Sequence, residues 1–329
     1  MKNTRRIRIF FFALTAVLLL AGTAWGEQLP VPSPEPAAPA RTDRPTPAPT
    51  EEPPDVVVDH VNQPNLMPRF AFPEGSKLLD IWIPNIKDAD AAILMYDGDV
   101  YMIDCGDERA AVRTVLLIKQ LGLEKIDILF NSHLHHDHID GLAATDDAAK
   151  VKKLKICFPP ALTASGVEMV ETAMWHRIPV TEYKDGDAFT MGDGAVTLQF
   201  WKCNEQELDI NNQSAITKVT YGDRTILFTA DVEKAGQELL LKRLGKDSLR
   251  SDILKYPHHG KVDMLMSFYN AVKAKLVVIT SVANRDDSGQ RFLKAREIPL
   301  VFTSVKGQFT HLVTDGHYWL CEYVPVTVQ

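Results

Sequence analysis

A layered α/β sandwich is the fold class this sequence predicts, on three observations. Short apolar, β-branched runs alternate with segments of helical character, and the two halves of residues 77–329 repeat that texture. Loops rich in His and Asp follow several of the strand-like runs, so they are expected to meet along one edge. With 45% hydrophobic residues in 329, there is ample material for a sizeable core.

Taken in order, the chain opens on an export signal. Lys2, Arg5, Arg6 and Arg8 precede an apolar run from Ile9 to Ala21, and Ala24-Trp25-Gly26 offers small residues where signal peptidase cuts. Cleavage after Gly26 is the expectation, and an uncleaved N-terminal anchor within residues 1–26 is the alternative, although the run is short for a bilayer span. Either way the protein is exported, and extracellular or associated with the cell surface. Residues 27–76 read as a linker. Pro, Ala and Thr dominate 29–54, a composition that favours an extended polyproline spacer over helix or sheet, and 55–76 is transitional. The folded domain is placed at 77–329.

Within it, Leu78–Ile83, Ala91–Tyr96 and Val100–Ile103 read as strands, the last two joined at Asp97-Gly98. Asp107 is the expected cap of a helix with Val112, Val115 and Leu116 on its apolar face, ending near Gly122. Asp127–Phe130 is a strand, a short helix follows Gly141, and Lys155–Phe158 is a further strand. In the second half Ala195–Trp201, Ala215–Tyr221, Thr225–Thr229, Ile253–Tyr256, Leu276–Thr280 and Leu300–Thr303 are strand-like. A helix spans about Glu233 to Leu244, and a hairpin turns at Thr314-Asp315-Gly316.

The loop His133-Leu134-His135-His136-Asp137-His138 carries the chemistry. Of its four imidazoles, three, those of His133, His135 and His138, together with the Asp137 carboxylate, can feed two adjacent divalent cations. After a strand, His133 and His135 point to one side and share one cation, and Asp137 with His138 serves the second. His136 is left over, for a hydrogen bond or exposure. Zinc is the expected ion, with manganese the alternative.

The net charge of −7 and pI near 5.8 exclude a general basic field for nucleic acid, though not a local patch. The run Lys150, Lys152, Lys153 and Lys155 reads as a solvated face. Cys105, Cys157, Cys203 and Cys321 lack metal-type spacing; in an exported protein they either pair or, in their apolar contexts, belong to the core. No protein partner is evident.

The pattern His133, His135, Asp137, His138 after an apolar strand resembles the hallmark of the metallo-β-lactamase superfamily. Met102-Ile103-Asp104-Cys105-Gly106 is similar to the motif whose aspartate supports that loop. Thr229-Ala230-Asp231 looks like the source of the aspartate that bridges both metals, and Leu254-Lys255-Tyr256-Pro257-His258-His259-Gly260 resembles the last ligand motif of the ComEC-like branch. The resemblance covers nearly all of 77–329 and implies a four-layer αββα sandwich. Its metal ligands would be His133, His135, Asp137, His138, Asp231 and His258, with Asp137, Asp231 and His259 in the chemistry and His259 beside the ligands or facing substrate. Lys255 is a further candidate for a substrate oxygen, and Lys261 stands where the branch commonly has a small hydroxyl residue.

One departure concerns the first metal. Most hydrolases of the superfamily place a third histidine between the metal loop and the bridging aspartate, and the one histidine in that interval here is His176, in a helix-like stretch. Cys203, at the end of a strand-like run, is a further candidate donor in the interval. The implied function is a metal-dependent hydrolase in which the metals lower the pKa of water to about 7 and so supply hydroxide at neutral pH. A phosphodiester, in nucleic acid or a cell-wall-linked ester, is the expected substrate. A lactam or lactone hydrolase, or a binding module that has lost turnover, is the alternative.

Overall fold

The computed structural model describes residues 56–58, 71–203, 208–283 and 288–327, all within the unit Glu52–Gln329. The expected signal or anchor at 1–26 lies outside the described residues, as does most of the expected linker. Val56–Val58, inside the latter, pairs in parallel with Trp319–Cys321.

Two sheets carry the fold. In spatial order the first runs Val56–Val58, Trp319–Pro325, Gln308–Thr314, Leu79–Ile83, Ala91–Tyr96, Asp99–Cys105, Ile128–Phe130, Leu154–Ile156, Val180–Glu182. The second runs Ala188–Met191, Val196–Lys202, Ala215–Tyr221, Arg224–Phe228, Ile253–Lys255, Leu276–Ile279, Leu300–Phe302. Alternation along the second sheet assigns its two faces. Ile226, Phe228, Ile253, Leu276 and Val278 join the core shared with the first sheet, which includes Ile81, Ile93, Met102 and Phe130. Their neighbours Leu227, Leu254, Val277 and Ile279 pack instead with Leu240, Phe268 and Leu293 of the helices Lys234–Leu249, Met266–Val272 and Ser288–Lys294. Leu117 and Ile118 of the helix Ala111–Gln120, with Met169 and Ala173 of Ala164–Trp175, pack on the first sheet. The layers are therefore α, β, β, α, as expected.

Several local readings change. The first helix starts at Ala111, and Asp107 accepts the Ala110 N–H at 2.6 Å, so it caps the preceding turn rather than the helix. The buried face is accordingly Ala111, Thr114, Leu117 and Ile118, and Val112 is 60% exposed. The helix Ala164–Trp175, capped by Thr163 Oγ1 on the Gly166 N–H at 2.9 Å, was signalled in the sequence only by its C-terminal part. The strands Val180–Glu182 and Ala188–Met191 escaped because they are short and largely exposed. None of the four cysteines forms a disulfide, and all are buried in the two apolar clusters, which places them in the core. Among the described residues no helix is long and apolar enough to cross a membrane.

The strands Asp99–Cys105, Ile128–Phe130, Leu154–Ile156 and Val180–Glu182 are mutually parallel. So are Arg224–Phe228, Ile253–Lys255, Leu276–Ile279 and Leu300–Phe302. Loops at the carboxyl ends of parallel strands share one edge, where open α/β sheets place their ligands. Ser132 O accepts the Ala215 N–H at 2.9 Å there and ties the two sheets together.

Away from that edge, His311 links three strands. Its Nε2 meets Asp80 Oδ1 at 2.8 Å and its Nδ1 Glu322 Oε1 at 2.9 Å, and its ring stacks on Trp82 at 3.9 Å. Burial alone would lower its pKa, but the two carboxylates outweigh burial and raise it. A folded-state pKa above the unfolded value of about 6.5 gives stability that is complete below that pH and is lost as pH rises through the folded value. His311→Gln is therefore expected to cost about 1–2 kcal/mol at pH 6 and less at pH 9, read by urea denaturation at both; equal losses would refute the charged pairing.

Candidate metal centre

The sheet edge converges on Asp231. This residue follows the strand Arg224–Phe228, sits 1% exposed, and follows Ala230, whose φ of 44° turns the carboxylate inward. Its Oδ1 lies 3.3 Å from His138 Nε2. Its Oδ2 lies 3.4 Å from His258 Nε2, 3.4 Å from His259 Nε2 and 3.8 Å from His133 Nε2. His259 Nε2 is also 3.4 Å from Asp137 Oδ2. Among the described residues both Asp231 oxygens and the Nε2 atoms of His133, His138 and His259 are buried without a hydrogen-bond partner.

Orphaned donors on this scale are costly unless a cation unites them. Tetrahedral coordination with bonds of about 2.0–2.1 Å sets neighbouring ligand atoms about 3.3–3.4 Å apart, the spacing of every contact given above except that of His133, at 3.8 Å. The residues present thus fit a divalent ion.

Their orientation is enforced from behind. Asp104, at the end of the strand Asp99–Cys105 with φ 53°, accepts Ser132 N–H at 2.7 Å, Ser132 O–H at 2.6 Å and His138 Nδ1–H at 2.7 Å. Asp90 does the same for His259: its Oδ1 receives Nδ1 at 3.0 Å and the Thr280 hydroxyl at 2.6 Å, and its Oδ2 is ion-paired with Lys255. Each carboxylate fixes the imidazole tautomer and leaves Nε2 as the ligand atom. Asp90 was missed in the sequence, where it is one acid between two alanines. It is placed by the ladder irregularity at Ala91/Ala92 and by backbone bonds from Asp90 N–H to Asp137 O, 3.1 Å, and from Gly106 N–H to Asp90 O, 2.8 Å.

The predicted residues divide as follows. His133, Asp137, His138, Asp231, His258 and His259 come together, and the imidazole of His135, half-buried, lies 4.9 Å from that of His133. The tightest buried set takes His259 with His138, Asp231 and Asp90, whereas the sequence reading prefers His258 as ligand and keeps His259 beside it. Lys255 is 2% exposed and donates to Ala230 O at 3.0 Å, so it is an internal counter-charge and does not face substrate. Lys261, 30% exposed and 3.6 Å from Asp137 Oδ2, is the lysine at the rim. His136 is exposed. His176 is engaged by Asp146 at 2.9 Å, and Cys203 packs in the helical core with its Sγ 3.4 Å from Gly236 O, so neither joins the centre.

The family model of the metallo-β-lactamase superfamily matches residues 89–278, more than half of the chain and all of this centre. The chain belongs to the metallo-β-lactamase superfamily. A ribonuclease Z of Clostridium beijerinckii is 27% identical over 168 residues, covering 49% of this chain and 52% of the relative. A ribonuclease Z of Methanococcus maripaludis strain C6 is 30% identical over 97 residues, covering 28% and 30%. The chain thus spans about half the length, or less, of the curated relatives it matches. Among solved structures, a Cronobacter sakazakii metallo-β-lactamase with a HARLDQ motif is 19% identical, with TM-score 0.38 over 53% of this chain and 73% of that one.

Charge in this metallo-β-lactamase-type centre follows from burial and neighbours. Burial and repulsion from His138 hold His133 well below the ordinary imidazole value, hence neutral. Burial opposes charge on His259 too, but Asp231 and Asp90 outweigh it and push its pKa up to about 9. The His138 pKa is likewise raised, by Asp231 and Asp104 against its burial. A cation entering chelator-stripped protein at pH 7 must displace those protons. Zinc titrations by calorimetry in buffers of different ionisation enthalpy should show proton release, and affinity should rise with pH toward about 9. Titrations independent of buffer and pH would contradict this charge assignment.

Gly141, after the loop, packs so that an added Cβ would lie 2.1 Å from Cys105 O. Gly141→Ala is expected to cost about 2–4 kcal/mol and to weaken metal uptake, measured by denaturation and elemental analysis; a wild-type-like variant would show that the close packing is dispensable.

Proposed function

We propose that this chain is an exported, metal-dependent phosphodiesterase acting on nucleic acid or on a smaller, cell-wall-linked phosphate ester. The observation that carries it is the buried set of unpartnered donors around Asp231, which fits two divalent cations, zinc foremost and manganese as the alternative. His138, Asp137, His259 and Asp231 would hold one ion, and His133 and His135 would hold the other beside Asp231. When bound, the ions supply Lewis-acid charge and lower the pKa of water to about 7.

The protein's own groups do the rest. Asp104 and Asp90 lock His138 and His259 so that no reorientation is needed when charge develops. Lys255 neutralises Asp90 from inside, so that its carboxylate stays ionised, well below the usual range, and holds His259 in place. Lys261, at the rim beside Asp137, is the side chain positioned to meet a phosphate oxygen. The similarity to ribonucleases Z supports a phosphodiester substrate, whose developing charge at phosphorus two cations and Lys261 would share. Export rests on the basic and apolar N-terminal run, with the Pro-rich segment as spacer.

Full-length protein assayed with a chromogenic phosphodiester, a lactam and a lactone tests the substrate class. Phosphodiester turnover is expected, abolished by chelation and reduced at least about 100-fold in Asp231→Asn, while Asp104→Ala should weaken metal affinity about 10–100-fold. Lysine removal in Lys261→Ala should raise KM more than it lowers kcat. Turnover of the lactam or lactone alone would overturn the phosphodiesterase reading.

A further inference from the structure

The chain lacks the third histidine that the superfamily commonly places between the metal loop and the bridging aspartate, and His258 lies beside Asp231 instead. We propose that His258 is the third protein ligand of the ion held by His133 and His135, an assignment that rests on the metal-centre reading above.

His258 and His259 are consecutive, and both take left-handed backbone conformations, φ 48° and 52°. Each is strained for a non-glycine residue, and two in succession persist only where the surroundings impose them. The result is divergence: their ring centroids are 5.8 Å apart with planes at 75°. His259 turns inward to Asp137 and Asp231, and its Nδ1 is held by Asp90. His258 turns the other way, 17% exposed, and among the described residues its ion-pair contacts run to Asp231 and Glu233.

The same logic that marks His138 and His259 as ligands marks His258. Its Nδ1 donates to Glu233 Oε1 at 3.0 Å, which leaves Nε2 free, 3.4 Å from Asp231 Oδ2. His133 Nε2 approaches that same oxygen at 3.8 Å. His176 and Cys203, the two candidates the sequence offers between the metal loop and Asp231, are engaged elsewhere. The pair thus splits, with His259 on the ion of Asp137 and His138 and His258 on the ion of His133 and His135.

Metal content tests the split without reference to activity. Full-length protein is loaded with zinc, desalted and measured by elemental analysis, with circular dichroism to confirm folding. Wild type should carry two ions per chain. His133→Ala and His258→Ala should each carry one, and the double variant His133→Ala/His258→Ala should still carry one, because both remove the same ion. His258→Ala/His259→Ala should carry none. If a ligand variant does not fold, Glu233→Gln keeps every ligand and should weaken one of the two zinc-binding steps about tenfold, leaving the other unchanged. Two ions in His258→Ala, or none in the double variant with His133→Ala, would overturn the assignment while leaving the metal centre intact. A wild-type chain that takes up neither zinc nor manganese would overturn the metal centre and the assignment together.

Discussion

A buried carboxylate with no hydrogen-bond partner among the described residues is the constraint on which the rest of this structure depends. Asp231 is surrounded by the nitrogens of four histidines and by Lys255, at distances from 3.3 to 3.9 Å. Those separations are too long for good hydrogen bonds and short enough for a shared ligand. Burial opposes its charge, and His259 and His138 more than compensate, holding it well below the usual carboxylate range. The cost of this arrangement explains why so much of the sheet edge is given to fixing it: the Ser132 clamp on Asp104, the Thr280 and Lys255 contacts to Asp90, and left-handed backbone at Asp104, Ala230, His258 and His259.

Much of the fold was legible because its strands bury one or both faces and so read as apolar runs with turn residues between them. Ala91–Tyr96 and Ala215–Tyr221 have the bounds expected. What escaped was short or polar, such as the exposed edge strand Val180–Glu182, or depended on phase, as where a cap three residues early misplaced the apolar face around Val112. Propensity carries little information in segments this brief.

The candidate site was legible where chemistry is concentrated in sequence. Six residues from His133 to His138 announce a metal loop on their own terms. Asp90, Glu233 and the interior place of Lys255 were not, because each is an ordinary charged residue locally and gains its role from strand order. Asp90 meets His259 across 169 positions of sequence, and only the pairing of Ala91–Tyr96 beside Asp99–Cys105 brings it to the edge. His258 and His259 sit one position apart, and it is their left-handed backbone, invisible in the sequence, that turns their rings to different partners around Asp231.

The candidate ligands come from both sheets: the loop His133–His138 follows a strand of the first, and Asp231, His258 and His259 follow strands of the second. This ties together the histories of the two halves. Side chains alternate with period two, so a one-residue slip in either sheet would turn its ligands away from the centre. Insertions can therefore accumulate in outer helices and at the far edge, but the halves cannot drift in register independently. Any descendant that rebuilds one sheet must either rebuild the other or abandon the ions.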